Sequence, residues 1–269
     1  MIKLEKLSVH PKKKGYYQLE FSGEWKQETI DVHEDVLVKY SLRKGLEFSE
    51  EEYKQFKKAQ GAHSVYLLAI NYLSYRVRTE KEMRDYLKKK DAEASVIDET
   101  IDRLKEEKLL DDRVFSEMFV RSRKRHSNKG PRFILQELMQ KGVAEKDARP
   151  ALKQYSFSEQ FDNALKFAES KMKASTALSY KERQNKIGQG LIQKGFDQEV
   201  VRSVLNELPE DQKASEWEAL NKQANKALHR LRNLDESEKR YKLKQSLYRK
   251  GFSMDLINEY IEQLRDLED

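Results

Sequence analysis

The 269-residue chain contains no cysteine, and it has only 4 prolines and 10 glycines. The absence of cysteine excludes disulfides, thiolate metal sites and a cysteine nucleophile. Because helix breakers are few and Lys, Glu and Arg are abundant, the composition favours helices over sheets. The first residues form no apolar run, so we expect no signal peptide. No segment approaches the roughly 18 uninterrupted apolar residues of a membrane span, so we expect a cytoplasmic protein without membrane contact.

Charged residues make up 37% of the chain, and hydrophobic residues make up only 38%. An average globular protein has about a quarter of its residues charged and a larger apolar share. This balance suits small units with thin cores better than it suits one large sphere. The net charge of +6 is compatible with a nucleic acid or an acidic protein as partner, and it does not distinguish the two.

One short pattern, Leu-x-x-Lys-Gly followed by an apolar residue, recurs along the chain. Complete copies begin at Leu138, Leu191 and Leu247, and a degenerate copy begins at Leu87. The copies are about fifty residues apart, and such self-similarity at near-constant spacing is typical of a repeat architecture. An apolar helical stripe follows each copy and another helix precedes it, which predicts three helices in each repeat.

The pattern also predicts how the middle helix of each repeat ends. Glycine closes a helix in the left-handed conformation, and the residue after it folds back onto the leucine inside the last turn. The degenerate copy has Asp91 in place of glycine, so we expect that helix end to be looser. The expected closing contacts join Leu138 with Val143, Leu191 with Phe196, and Leu247 with Phe252.

The first part of the chain differs from the repeats. Residues 2–7 and 16–21 are rich in strand formers and are separated by a turn at 12–15, residues 28–32 suit a third strand, and Ser49 opens a helix with a capping box. We therefore predict a mainly α protein in which tandem three-helix repeats form an elongated, curved array behind a small β-containing domain. The predicted boundaries are 1–60 for the amino-terminal β/α domain and 61–110, 111–156, 157–209 and 210–269 for repeats 1 to 4.

Three patterns invite an enzymatic explanation, and each has a simpler one. Glu24-Trp25-Lys26 follows a predicted strand as in a metal-dependent nuclease, but no suitably placed second carboxylate precedes it. The adjacent Asp111 and Asp112 would point in different directions on a helix, so they suit capping of a helix start better than chelation. The histidines lack the i, i+4 spacing of a helical metal site: His10, His33, His63, His126 and His229. We expect no catalytic residue, no metal site and no cofactor.

Two basic segments are the candidate binding residues. Arg76 and Arg78 lie in a predicted turn just before a capping box formed by Thr79 and Glu82. The second segment, 121–132, contains no acidic residue, and its charge lies on a helix end and the loop after it. A solvated charged face is the simpler explanation of both segments, but so unbalanced a run favours contact with phosphates or an acidic partner. The cations of the second segment are Arg121, Arg123, Lys124, Arg125, Lys129 and Arg132.

Residues 72–152 contain a series of motifs in a fixed order. They are Tyr75-Arg76-Val77-Arg78-Thr79-x-x-Glu82, Leu87-x-x-Lys90, Leu109-Leu110-Asp111-Asp112-x-x-Phe115, Val120-Arg121-Ser122-Arg123, Lys129-Gly130-Pro131-Arg132 and Leu138-x-x-Lys141-Gly142-Val143. This series resembles the RecX family of regulators of the RecA recombinase. The sequence departs from the family's pattern at Asp91 and at Val77, and neither change affects a basic residue.

The resemblance implies a function that composition does not show. It implies a negative regulator that binds the RecA filament on single-stranded DNA along its groove and inhibits the recombinase and its ATPase activity. Such a protein limits recombination, DNA repair and the SOS response without a catalytic site of its own. We expect a monomer. Contact with several adjacent RecA protomers would give tight binding from individually weak contacts. The alternative is a helical-repeat protein that binds nucleic acid directly, without a recombinase partner.

Overall fold

A computed structural model of the chain describes residues 1–23, 26–209 and 213–266. Glu24 and Trp25 of the nuclease-like pattern lie outside the described residues. The chain divides into two compact units. The amino-terminal unit comprises residues 1–115 and 141–143, and the carboxy-terminal unit comprises residues 116–140 and 144 onwards.

The amino-terminal unit begins with an antiparallel sheet of four strands in the order β3-β2-β1-β4. The strands are β1 (Ile2–Val9), β2 (Tyr16–Gly23), β3 (Lys26–His33) and β4 (Glu47–Phe48). Alternation along the strands places Leu4, Leu19 and Phe21 on one face, where they are fully buried. The small β-containing domain predicted from the sequence is therefore confirmed.

Helices form the rest of the described chain. In the amino-terminal unit they are α1 (Glu34–Lys39), α2 (Glu50–Tyr75), α3 (Glu80–Lys88) and α4 (Ala94–Glu106). They are followed by α5 (Asp112–His126), α6 (Pro131–Gln140), α7 (Glu145–Leu152), α8 (Phe157–Ala174), α9 (Tyr180–Gln193), α10 (Gln198–Glu207), α11 (Lys213–Arg230), α12 (Glu236–Arg249) and α13 (Met254–Asp266). The predicted mainly α fold with three helices in each repeat is confirmed. No helix in the described part of the chain is long and apolar enough to cross a membrane.

The predicted ends of the middle helices are present in the structure. Gly195 adopts φ 84°, and the N–H of Phe196 donates to the carbonyl of Leu191 at 3.1 Å. Gly142 and Gly251 each adopt φ 88°. This left-handed backbone reverses the chain so that the apolar residue after Gly195 or Gly251 joins the core around its leucine. The contact expected between the leucine and valine of the second repeat stays a prediction.

Asp91 adopts the same conformation as the glycines, with φ 58°. The bond from the N–H of Ala92 to the carbonyl of Leu87 measures 3.3 Å, between the 3.1 Å of Phe196 and the 3.4 Å of Phe252. Aspartate tolerates the left-handed region better than most residues with a Cβ, which explains how it replaces glycine here. The helix end at Asp91 is therefore closed by the same hydrogen bond as the glycine ends, and the looser end expected there stays a prediction.

The lysine–glycine turns also connect consecutive repeats. Within the carboxy-terminal unit, the carbonyl of Lys194 accepts from the N–H of Gly130 at 2.7 Å, and the carbonyl of Gly195 accepts from the N–H of Arg132 at 3.1 Å. A Cβ at Gly195 would lie 2.3 Å from the backbone nitrogen of Phe133. Position 195 therefore requires glycine for two reasons, which are its positive φ and the close approach of two backbones.

The same connection recurs with a hydroxyl in place of the backbone N–H. Within the amino-terminal unit, Thr79 Oγ1 donates to the carbonyl of Lys141 at 2.8 Å while also capping α3. Within the carboxy-terminal unit, the Ser179 hydroxyl that caps α9 donates to the carbonyl of Lys250. Both hydroxyl-bearing residues are fully buried. The middle helix of one repeat thus starts at the turn that ends the middle helix of the next.

Candidate basic binding surface

The turn of Arg76 and Arg78 connects α2 to α3 in the amino-terminal unit. The Arg78 guanidinium lies over the ring of Tyr72, 4.0 Å from its centroid, and that ring stacks on Tyr86 at 3.9 Å with an angle of 5°. Arg78 is therefore held by a stack of aromatic rings. Arg76 is exposed, with only a 3.5 Å contact between its Nη2 and Oε1 of Glu82. Of the two predicted residues, Arg76 is the one whose charge faces solvent.

Glu82 organises this turn. Its carboxylate accepts from the N–H of Thr79 at 3.3 Å and from Nζ of Lys141 at 2.9 Å. Burial by itself would raise the pKa of Glu82, but the hydrogen bonds from Lys141 and the Thr79 backbone outweigh it and hold the pKa below its ordinary value. Glu82 is therefore ionised at neutral pH, and it fixes the start of α3 beside the turn.

Lys124, in the last turns of α5, is mainly a structural cation. Its Nζ donates to the carbonyl of Gln154 at 2.9 Å and to Oε1 of Glu159 at 2.7 Å, and its side chain is only 16% exposed. The hydrogen bond from Lys124 lowers the pKa of Glu159. The backbone carbonyl of Lys124 also accepts from Nδ2 of Asn163 at 2.8 Å. These bonds attach α5 to the start of α8 and leave little of the charge for a partner.

Arg123 and Lys129 share one carboxylate, that of Glu137 on α6. Nε of Arg123 lies 2.9 Å from Oε2, and Nζ of Lys129 lies 2.9 Å from Oε1. Arg123 also lies over the ring of Phe119, and Lys129 lies 4.0 Å from the centroid of Phe133. Both cations are half-buried, so their main effect is to fix the loop between α5 and α6.

Arg121, Arg125 and Arg132 expose their charge. Arg132 pairs with Asp197 at 2.7 Å, yet its side chain is 71% exposed and can take a second acceptor. Arg121 and Arg125 are exposed and have no carboxylate partner among the described residues. They are four positions apart on α5, which places them on one side of the helix. The predicted basic run therefore separates into internal ties and a smaller exposed set.

The structure also contains a second basic cluster that the sequence analysis missed. A cavity of about 300 Å³ lies between α11 and α12 in the carboxy-terminal unit, and no acidic residue is among the described residues that line it. Lys250 Nζ donates to Oε1 of Gln223 at 2.6 Å, and Lys242 pairs with Glu238 at 2.6 Å. The five cations that line this α11–α12 basic cavity are Lys226, Arg230, Lys242, Arg249 and Lys250.

Three cations of the α11–α12 basic cavity are available to a ligand. Lys226, Arg230 and Arg249 are exposed and form no ion pair within the described part of the chain. Lys226 and Arg230 follow each other at i, i+4 on α11. That spacing was visible in the sequence, but the cations alternate with other residue types and form no run. The concave shape and the single sign of charge suit phosphate groups or an acidic peptide.

Asp111 caps the start of α5, as predicted, and Asp112 binds the start of α3 instead. Oδ1 of Asp111 accepts from the N–H groups of Arg113 and Val114 at 2.8 and 3.3 Å. Oδ1 of Asp112 accepts instead from the N–H of Glu80, at 2.9 Å. The two carboxylates thus face different partners, and the capping explanation is confirmed.

Models of one protein family match each helical repeat. The model described as RecX, first three-helix domain, matches residues 66–104, and the RecX second three-helix domain matches 111–152. The RecX third three-helix domain matches twice, at 158–205 and at 214–261. The fourth repeat is therefore a further copy of the third rather than a different kind of domain.

Relatives and solved structures share this similarity over most of the chain. The Regulatory protein RecX of Oceanobacillus iheyensis is 40% identical over 236 residues, which cover 87% of each chain. The protein of the same name from Bacillus cereus is 32% identical over 271 residues, which cover 100% of each. A crystal structure of regulatory protein RecX superposes with a TM-score of 0.67 at 30% identity, covering 77% of this chain and 100% of that one. The crystal structure of RecX from Lactobacillus salivarius superposes with a TM-score of 0.54 at 35% identity, covering 56% of this chain and 97% of that one.

Proposed function

This chain belongs to the RecX family, and on that premise we propose that it binds the RecA filament on single-stranded DNA and inhibits it. It lies along the groove of the filament, slows ATP hydrolysis by RecA and so restrains recombination, DNA repair and the SOS response. It acts in the cytoplasm as a monomer and by binding alone. The repeats at 61–110, 111–156, 157–209 and 210–269 are its successive contact units, behind the domain at 1–60.

The observation that carries this proposal is the set of exposed cations that have no carboxylate partner within the described part of the chain. On α5 these are Arg121 and Arg125, and on α11 and α12 they are Lys226, Arg230 and Arg249. A nucleoprotein filament presents phosphates and acidic side chains at regular intervals. Tandem repeats that each place a few cations can engage several such positions, and weak contacts then add up to tight binding.

The test is RecA's DNA-dependent ATP hydrolysis with increasing amounts of the chain. We expect wild type to inhibit, and Arg121→Glu/Arg125→Glu to need at least tenfold more protein, because two exposed cations become repulsive. Lys54→Glu/Lys58→Glu is the matched control, since both lysines are exposed on α2 at the same i, i+4 spacing. Equal inhibition by the two double variants would exclude α5 as the contact, and no inhibition by wild type at stoichiometric amounts would refute the proposal.

The α11–α12 basic cavity favours a second candidate function, direct binding of nucleic acid without RecA. Binding through phosphates should weaken with salt, with a log–log slope of about −0.7 for each phosphate neutralised on a single strand. If bare single-stranded DNA binds as tightly as the coated filament, the second function is correct. If tight binding requires RecA on the DNA, the first function, inhibition of the RecA filament, is correct.

A further inference from the structure

Two histidines and an aspartate that are distant in sequence meet in the amino-terminal unit. His33 ends β3, Asp35 lies in the first turn of α1, and His63 lies in the middle of α2. Nδ1 of His33 lies 3.2 Å from Oδ2 of Asp35, and Nε2 of His63 lies 3.3 Å from the same oxygen. The three atoms all lie within 4.8 Å of one another. We propose that His33, Asp35 and His63 bind a divalent transition-metal ion, with Zn²⁺ as the best fit.

The distances fit coordination by one small ion. Zinc sits roughly 2.0–2.2 Å from imidazole nitrogen and carboxylate oxygen, so neighbouring ligand atoms of a tetrahedral site are about 3.3–3.6 Å apart. The distance from His63 to Oδ2 of Asp35, 3.3 Å, lies in this range, and the distance from His33, 3.2 Å, is just below it. The nitrogen-to-nitrogen edge closes by rotation of the two imidazole rings, whose centroids are 5.5 Å apart. Three protein ligands leave a fourth position for water.

The burial of His63 also suits a metal. Its side chain is only 15% exposed, and an imidazole nitrogen is the commonest metal ligand in proteins. Its Nε2 is buried and forms no well-directed hydrogen bond within the described part of the chain. A bound cation would satisfy that nitrogen, and an unsatisfied buried polar atom is otherwise costly.

His33 has a second role that coordination would replace. Its Nδ1 accepts from the N–H of Asp35 at 3.3 Å, and so caps α1. That bond is long, so exchanging it for a metal bond loses little. The coordinated ion would join the end of β3 to the middle of α2.

Solvent reaches Asp35 and His63 through a cavity of about 590 Å³, lined also by Lys39, Glu99 and Arg103. Lys39 and Arg103 are unfavourable neighbours of a cation, but Nε of Arg103 donates to Glu107 at 2.8 Å and its guanidinium lies over the ring of Tyr66. The carboxylates of Asp35 and Glu99 balance the two cations that line the cavity. Two imidazoles with one carboxylate select zinc or a similar transition metal over magnesium and calcium, which prefer oxygen ligands.

The experiment titrates Zn²⁺ into the full chain after removal of metals with EDTA, using calorimetry. We expect one tight ion per chain, and at least a tenfold loss of affinity in His33→Ala and in His63→Ala. His126→Ala and His229→Ala are matched controls that should bind as wild type does, since neither histidine belongs to the cluster. Circular dichroism checks that each variant is folded.

Cobalt supplies a readout on the unaltered chain. Co²⁺ in a site with two nitrogens, one carboxylate and water should give visible absorption bands of a four-coordinate ion, and equimolar Zn²⁺ should remove them. Absence of saturable Zn²⁺ binding below about 100 μM, a threshold far weaker than structural zinc sites, would overturn the proposal. So would unchanged binding in the folded His33→Ala/His63→Ala variant. Neither result depends on RecA or DNA, so the experiment tests this site independently of the proposed function.

Discussion

Gly195→Ala tests whether the lysine–glycine turns hold consecutive repeats together. The substitution adds one methyl group at a position with φ 84°. That methyl would lie 2.3 Å from the backbone nitrogen of Phe133 and 2.9 Å from its Cβ. Because backbone atoms at the start of α6 cannot rotate away as a side chain would, α6 and the turn after α9 must separate.

The chain supplies a matched control in Gly45→Ala. Gly45 has nearly the same backbone, with φ 86°, but no atom lies within 4 Å of the position of its Cβ. Gly45→Ala should therefore cost only the left-handed backbone penalty of about 1–2 kcal/mol. Gly195→Ala should cost the same penalty plus two backbone hydrogen bonds, from Gly130 and Arg132, worth about 1 kcal/mol each. The expected total is about 3–4 kcal/mol, before any loss of packing.

Urea unfolding followed by circular dichroism measures both free energies of unfolding, and hydrogen exchange locates the effect. We expect Gly195→Ala to reduce protection of amides in α6 and in the end of α9, and Gly45→Ala to leave both unchanged. Gly251→Ala should fall between them, because its Cβ would meet side-chain atoms of Lys181 and Ser179 at 3.0 Å. If Gly195→Ala costs no more than Gly45→Ala, the turns are not junctions between repeats.

Two further predictions concern the charged residues. Lys124→Met should lower the free energy of unfolding by about 1–3 kcal/mol, because Glu159 and the Gln154 carbonyl lose their hydrogen-bond donor. Arg125→Met is the control and should change the free energy of unfolding by less than about 0.5 kcal/mol. The midpoints of urea unfolding compare the two variants. The pKa of Glu82 is lower in the folded chain than its ordinary value of 4.5, so its contribution to stability is complete above that value and is lost as pH falls through the folded pKa. Glu82→Gln should therefore be less stable than wild type at pH 7 and should lose less on acidification to about pH 3; equal losses would contradict this.

Local backbone chemistry is the part of the fold that the sequence predicted best. A glycine four residues past a buried leucine implies a left-handed helix end, and Gly142, Gly195 and Gly251 all have it. The same kind of local reasoning predicted that Asp111 caps the start of a helix, and it does so for α5. Such features depend on residues within about five positions of each other, so no long-range information was needed. Asp91 adopts the same left-handed backbone, because aspartate tolerates that region better than most residues with a Cβ.

Which cations are free to bind a partner was harder to predict, because the carboxylates that pair with them lie on other helices. Nothing near Lys124 in sequence shows that Glu159 neutralises it, and the same holds for Arg132 and Asp197. The cavity between α11 and α12 exists only once two helices pack side by side. His33 and His63 are likewise brought together by packing of α2 against the sheet domain, whereas a motif search examines neighbouring positions only.

The cations of one run in the sequence lie on different sides of the helix that carries them. Lys124 is rotated by about 100° from Arg125 and by about 60° from Arg121, and it faces the packed side of α5 while the two arginines face solvent. Reversing a half-buried cation of the run, such as Arg123, would place two carboxylates together at Glu137 and destabilise the loop after α5. Such a variant would lose binding and folding at once, and its phenotype would not identify a contact. Changing only Arg121 and Arg125 separates the two effects, because these side chains have no internal carboxylate to lose among the described residues.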